Sequence, residues 1–187
     1  RGELVSGSEI ANATGVPALI QESIALDAAH SVLLIPGAMG ETLDSRERAT
    51  EVIAAIHARH GRDHGGPVFL GANSMGIISR PGRYDTWFIP EAKLPKERGT
   101  SYRRAALVSQ SGAFMLNRSH QCPELRPAYM ISMGNQTDLS LGDMLYYFKD
   151  SHAVDVIAVY AEGFQELDGL HFCRAVRAAV LAGKEVV

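Results

Sequence analysis

The chain is poor in cysteine, with only Cys122 and Cys173 in 187 residues. Two cysteines so far apart supply neither a disulfide framework nor a paired-thiolate metal site, and a reduced, cytoplasmic setting is expected. No apolar run approaches the roughly 18 residues that a membrane span needs, so no membrane partner is expected. Charge of one sign is not in excess either. The net value of −3 points neither to a nucleic-acid surface nor to an acidic tail. There is no internal repeat and no low-complexity tract, and Arg1-Gly-Glu-Leu does not open like a signal peptide. What the chain does have is a hydrophobic fraction of 46%, ample for a packed core of one large or two small domains.

Apolar runs alternate with helical spacing. Residues 16–29 carry Leu19, Ile20, Ile24 and Leu26 at helical intervals, and residues 31–36 form a short continuous apolar run that predicts a buried strand. A turn at 37–42 leads to a helix capped by Thr42 or Asp44 and running to about His60, with Val52, Ile53 and Ile56 inward. Gly65-Gly66 breaks it, and 67–71 is the next strand. Residues 79–104, with Pro81, Pro90 and Pro95, lose all periodicity and predict an interdomain connection with a short β segment near 85–89. Beyond them come strand 105–109, helix 112–119, strand 128–132, helix 139–148, strand 154–160, helix 166–182 and a strand starting at Glu185. In helix 166–182, Phe172, Val176, Ala179 and Val180 are expected inward. The alternation means βαβ units and a parallel α/β sheet, and ligands of such sheets sit beyond the strand C-termini. The ending Lys184-Glu-Val-Val187 reads as a strand just beginning, so the chain is expected to be part of a longer polypeptide.

Four turns at strand ends carry the chemistry. Ser109-Gln-Ser-Gly112 follows an apolar strand and opens a helix, where free backbone N–H groups favour an anion and Ser109 and Ser111 add hydroxyls. Met133-Gly-Asn-Gln-Thr-Asp138 offers a second backbone cradle at Gly134 and Asn135, with Thr137 or Asp138 as the helix cap. Glu162 ends an apolar strand at the same edge, where a carboxylate can hold an imidazole in one tautomer and stabilise its positive charge. Gly71-Ala-Asn-Ser-Met-Gly76 turns tightly after a strand and exposes Asn73. The plain reading of each is a capped helix or a solvated turn. Ala72-Asn-Ser-Met-Gly76 also approximates a nucleophile elbow, with Ser74 as nucleophile and Asp155 and His171 as acid and base, but His171 falls on an expected helix. His57, His60 and His64 cluster at a helix end; with no third ligand in sight, cations at a helix C-terminus explain them better than a metal.

The ordered set resembles the NDP-forming acyl-CoA synthetases, the superfamily of succinyl-CoA synthetase α subunits and ADP-forming acetyl-CoA synthetases. Gly71-Ala-Asn-Ser-Met-Gly is similar to their Gly-Pro-Asn-Cys-x-Gly segment, and residues 106–113 to their phosphate loop. Ser132-Met-Gly-Asn-Gln-Thr-Asp138 is similar to their Ser-Leu-Gly-Asn-x-x-Asp, and residues 156–164 to their Ile-x-x-Tyr-x-Glu-Gly. Ala72 and Ser74 depart from the family's proline and cysteine, and Leu116 stands where succinyl-CoA synthetases place a tyrosine.

The resemblance implies a layout and a chemistry. Residues 1–80 would be the end of a Rossmann-like CoA-binding domain, and 81–187 a flavodoxin-like ligase domain. An acyl-CoA and phosphate would give an acyl phosphate, whose phosphoryl group passes through a histidine to ADP or GDP. Ser109, Ser111 and Gly112, with Gly134 and Asn135, would hold phosphate, and Glu162 would orient the phosphohistidine. Ile35, Pro36 and Gly37 would line the CoA edge beside Asn73. The histidine motif, the glycine-rich CoA loop, and the ATP-grasp domain or subunit with its Mg-nucleotide are expected outside this sequence, in an oligomer. A non-catalytic CoA-sensing module fused to an acetyltransferase is the competing reading, and an FMN-binding flavodoxin domain a third.

Overall fold

The computed structural model describes residues 15–27, 29–37, 43–62, 65–94, 101–165 and 167–187. Its contacts divide the chain into two compact units. One comprises the residues up to Ser74 together with Asn135–Leu139; the other comprises Met75–Gly134 and Ser140–Val187. The division therefore falls a little before the expected boundary at residue 80. It also assigns a short piece of the second half to the first unit.

In the first unit, α1 (Gly15–Leu26) and α2 (Leu43–His60) accompany a parallel pair, β1 (Ser31–Leu33) and β2 (Val68–Leu70), in register Val32 to Phe69. Val16, Ile20, Leu34, Val52, Ile56, Phe69 and Ala72 form its core. Helical spacing in α1 and α2 thus places one apolar stripe of each helix in a shared interior. α2 begins at Leu43, which puts Asp44 inside the helix; Thr42 and His64 lie outside the described residues. Strand β1 is shorter than expected, and Ile35 beyond it is 42% exposed.

Residues 135–139 run beside β2 as a hydrogen-bonded strap. The Asn135 N–H donates to Ala72 O (2.8 Å), the Thr137 N–H to Gly71 O (2.6 Å) and the Leu139 N–H to Phe69 O (3.2 Å). In return Thr137 Oγ1 accepts from the Ala72 N–H (2.9 Å) and Asp138 Oδ2 from the Phe69 N–H (2.8 Å). Thr137 and Asp138 are therefore not helix caps. Their short polar side chains substitute for ladder acceptors that β2 lacks on that side.

The second unit is built on a six-stranded sheet in the order β4-β3-β6-β5-β7-β8. Strands β5 (Arg103–Ser109), β6 (Pro127–Ser132), β7 (Val156–Tyr160) and β8 (Glu185–Val186) are parallel. Helix α3 (Gly112–Gln121) links β5 to β6, α4 (Leu141–Lys149) links β6 to β7, and α5 (Asp168–Leu181) links β7 to β8. From β5 the chain steps to one neighbour and then returns to the other side, so the switch of direction lies between β5 and β7. In open α/β sheets that is where ligands bind.

In residues 79–104, the short β segment expected near 85–89 lies slightly earlier, at 84–85, and a further strand precedes it. β3 (Ile77–Ser79) pairs antiparallel with β6, and β4 (Tyr84–Asp85) pairs back onto β3. The segment carries isolated apolar anchors rather than a periodic face, which is why no pattern shows in the sequence. Trp87 is buried with Met75, Met115 and Met130, and Ile89 and Leu94 pack against them.

Two further expectations are corrected in this unit. The cap of α4 is Ser140, whose Oγ accepts from the Asp143 N–H while the Asp143 carboxylate accepts from the Ser140 N–H (2.8 Å), a reciprocal capping box. In α5, Ala175 and Ala179 are fully buried whereas Val180 is 53% exposed. Small residues four apart let the helix pack closely, and Val180, one step round, turns to solvent.

Candidate functional site

Backbone register brings three strand ends flush. Ser109, the last residue of β5, is paired with Ser132 on β6 and with Tyr160 on β7. The turns that follow, 110–112, 133–134 and 161–163, therefore leave the sheet side by side, with about 4.8 Å between neighbouring strands. Ser111, Gly112, Gly134 and Glu162 lie on one edge of the second unit, beyond the strand C-termini.

Each turn is held by its own bonds. Ser109 is fully buried, and its Oγ donates to Ser111 O (2.8 Å), so this hydroxyl shapes the loop. Ser111 is the N-cap of α3, its Oγ accepting from the Phe114 N–H (3.3 Å). With the Phe114 N–H taken by this cap, the Ser111 hydroxyl proton and the Gly112 and Ala113 amides, which have no intrahelical acceptor, are the donors suited to an anion. Gly112 sits close to its neighbours, where a Cβ would come within 3.2 Å of Met75 Cβ and 3.5 Å of Ser132 Oγ. Ser132 Oγ in turn accepts from the Met75 N–H (3.0 Å), and the Met133 N–H donates to Ser109 O (2.8 Å). Gly134 then turns the chain away with φ +58°.

Glu162 is exposed just past β7. Sequence reasoning missed the residue that fixes it. Gln110 donates its backbone N–H to Tyr160 O (3.0 Å) and its side-chain Nε2 to Gly163 O (2.8 Å). Its Oε1 accepts from the N–H groups of both Glu162 and Gly163. The signal available was its place between the two serines of the loop. Phe114 was also missed. Its ring stacks on Tyr160 with centroids 3.9 Å apart, and the Arg118 guanidinium lies over it at 5.3 Å.

The first unit places Asn73 against the expected CoA edge, its N–H donating to Pro36 O (2.9 Å), while the Ser74 N–H donates to Leu34 O (3.2 Å). Ile35, Pro36 and Gly37 follow β1 directly. Asn135 lies in the strap of this unit, its backbone N–H engaged by Ala72 O rather than left for an anion.

Other groupings considered from sequence do not assemble. Asp155 is held by Arg104 (Nε to Oδ2 2.5 Å, Nη2 to Oδ1 2.7 Å), which pulls its carboxyl below the ordinary carboxylate range and raises the guanidinium. His171 pairs with Asp143 (3.1 Å) instead of Asp155, and Ser74 is buried. The hydrolase arrangement is thus absent. His60 is set between Gly65 O (2.6 Å) and the Asp138 carboxylate (3.1 Å), a structural bridge at the end of α2.

A parallel α/β sheet with its switch point between β5 and β7 is the architecture of a flavodoxin-like domain. Residues 103–187 match the family model of the succinyl-CoA ligase like flavodoxin domain. The α subunit of ADP-forming acetate–CoA ligase II from Pyrococcus furiosus is 27% identical over 148 residues, covering 78% of this chain and 29% of the relative. The ADP-forming acetate–CoA ligase I of Archaeoglobus fulgidus is 26% identical over 174 residues, covering 92% of this chain and 23% of the relative. Among solved structures, the acetyl-coenzyme A synthetase 1 of Ca. Korarchaeum cryptofilum in complex with phosphate and ADP superposes with TM-score 0.75 at 22% identity, over 93% of this chain and 34% of that one. At that identity the likeness is one of fold. Residues 103–187 thus carry a succinyl-CoA ligase like flavodoxin domain, the chain is similar to ADP-forming acetate–CoA ligases, and it spans about a quarter to a third of the length of the curated relatives named here.

Proposed function

We propose that the chain is the CoA-ligase core of an NDP-forming acyl-CoA synthetase, and that the β5/β7 edge receives the phosphoryl group. The observation that carries this is the flush alignment of Ser109 with Ser132 and Tyr160, which supports a shared mouth for the α3 N-terminus and the turn bearing Glu162. A phosphate oxygen attacks the thioester carbonyl carbon and expels the CoA thiolate, giving an acyl phosphate. A histidine nitrogen then takes the phosphoryl group as the carboxylate product leaves, and a nucleoside diphosphate oxygen takes it in turn from the histidine. None of these steps needs covalent chemistry from the mouth itself. Positioning and charge stabilisation dominate phosphoryl transfer.

Within this reading, Ser111 and the first-turn amides of α3, with Gly112 and Gly134, hold the phosphate. Ser109 holds the loop in shape, and Asn135 guides the chain away beyond Gly134. Glu162 orients the incoming imidazole and stabilises its charge. Ile35, Pro36, Gly37 and Asn73 form an edge for CoA. The Mg-nucleotide binds in an ATP-grasp partner domain or subunit. The ligase names of the relatives favour this over a non-catalytic CoA sensor of the same fold.

The test is phosphate titration of the wild-type chain and Ser111→Asp, followed by calorimetry. Aspartate caps a helix as well as serine does, so the fold is kept while a carboxylate occupies the anion position. Phosphate binding should be lost; unchanged affinity would overturn the reading.

A further inference from the structure

We propose that Gln110 is a positioning residue, whose side-chain amide clasps the Glu162–Gly163 backbone to the phosphate loop and so sets where the Glu162 carboxylate stands. The role given to Glu162 rests on the ligase reading; the clasp rests on geometry alone. The β5–β7 ladder ends at the pair Ser109 and Tyr160. One further backbone bond follows, from the Gln110 N–H to Tyr160 O. Beyond it the chain of β7 is exposed and irregular through residue 165.

There the Gln110 side chain takes over. Its Nε2 donates to Gly163 O (2.8 Å) and its Oε1 accepts from the Gly163 N–H (3.1 Å) and the Glu162 N–H. A primary amide presents a donor and an acceptor at one end, as a peptide group does, so it extends the ladder past the point where the strands part. Asparagine would fall short by one methylene. Glutamate would keep the acceptor, lose the donor and bring a charge beside the anion site. The Phe114–Tyr160 ring stack (3.9 Å) ties α3 to the same strand end, so the donors for the anion and the carboxylate are held to one frame.

The experiment follows amide exchange and side-chain carboxyl resonances by NMR in the wild-type chain, Gln110→Met and Gln110→Glu, with inorganic phosphate as the probe. In Gln110→Met the Glu162 and Gly163 amides should exchange about ten-fold faster, while the Leu107 and Val108 amides inside β5 report an intact sheet. Gln110→Glu retains the acceptor and should recover part of that protection. Phosphate should shift the Glu162 carboxyl carbon in the wild type, and that response should shrink in Gln110→Met although phosphate still binds. Unchanged exchange at Glu162 and Gly163 in Gln110→Met would overturn the clasp, and an undiminished carboxyl response would overturn its positioning role. A wild-type chain that binds no phosphate at all would instead overturn the ligase reading, with the exchange rates still deciding the clasp.

Discussion

Single residues decide whether each turn can form. Gly71 sits at φ +113°, and a Cβ there would lie 2.3 Å from Leu34 O. Gly71→Ala is expected to destabilise the first unit by about 3 kcal/mol or more, read as a lower denaturant midpoint, because both the dihedral and the space are refused. The Arg104–Asp155 pair is exposed, and its effect is one of pH and salt. Because the folded Asp155 carboxyl is held below its ordinary value, its contribution is present above the unfolded carboxylate pKa and is lost as pH falls through the lower, folded one. Asp155→Asn should therefore flatten the acid limb of the stability curve below about pH 4 at low ionic strength, and make little difference in 1 M salt, where screening is strong. Ser109, Ser111 and Gly112 were legible as a loop from residue type alone. Which hydroxyl is free was not, since Ser109 and Ser111 differ only in what their oxygens meet after folding.

At the level of elements, the parallel strands were legible because most are short, nearly continuous apolar runs set between segments of helical spacing. β3 and β4 were not, being two or three residues long and recognisable only by their pairing with β6 and with each other. Helix termini behaved similarly. Ser140 and Asp143 have the spacing of a capping box, yet Thr137 and Asp138 are equally plausible caps by type. The structure sends those two to β2 instead. Ser140→Ala should lower stability by about 1 kcal/mol, visible as a drop in the thermal midpoint and faster exchange in the first turn of α4. An equal effect on that turn from Thr137→Val would contradict this assignment.

For the whole molecule, the partition into two units has a consequence for cooperativity. The strap 135–139 comes from the middle of the second unit's sequence but belongs to the first unit by its contacts. Combined Thr137→Val and Asp138→Asn substitutions should speed exchange at the Phe69 and Ala72 amides, whose acceptors they remove or weaken. The β5 and β6 amides should keep their protection. Uniform loss across both sheets would show that the two units unfold as one.

Sequence alone determined the α/β alternation, the parallel strands and the position of small, polar turns at their ends. Hydrophobic periodicity and glycine are local properties that any chain shows before it folds. Only the tertiary structure decided which turns lie side by side, that Gln110 joins two of them, and that 135–139 serves the unit it does not sit in by sequence. Register and hydrogen-bond partners are relations between residues tens of positions apart, and no local pattern encodes them.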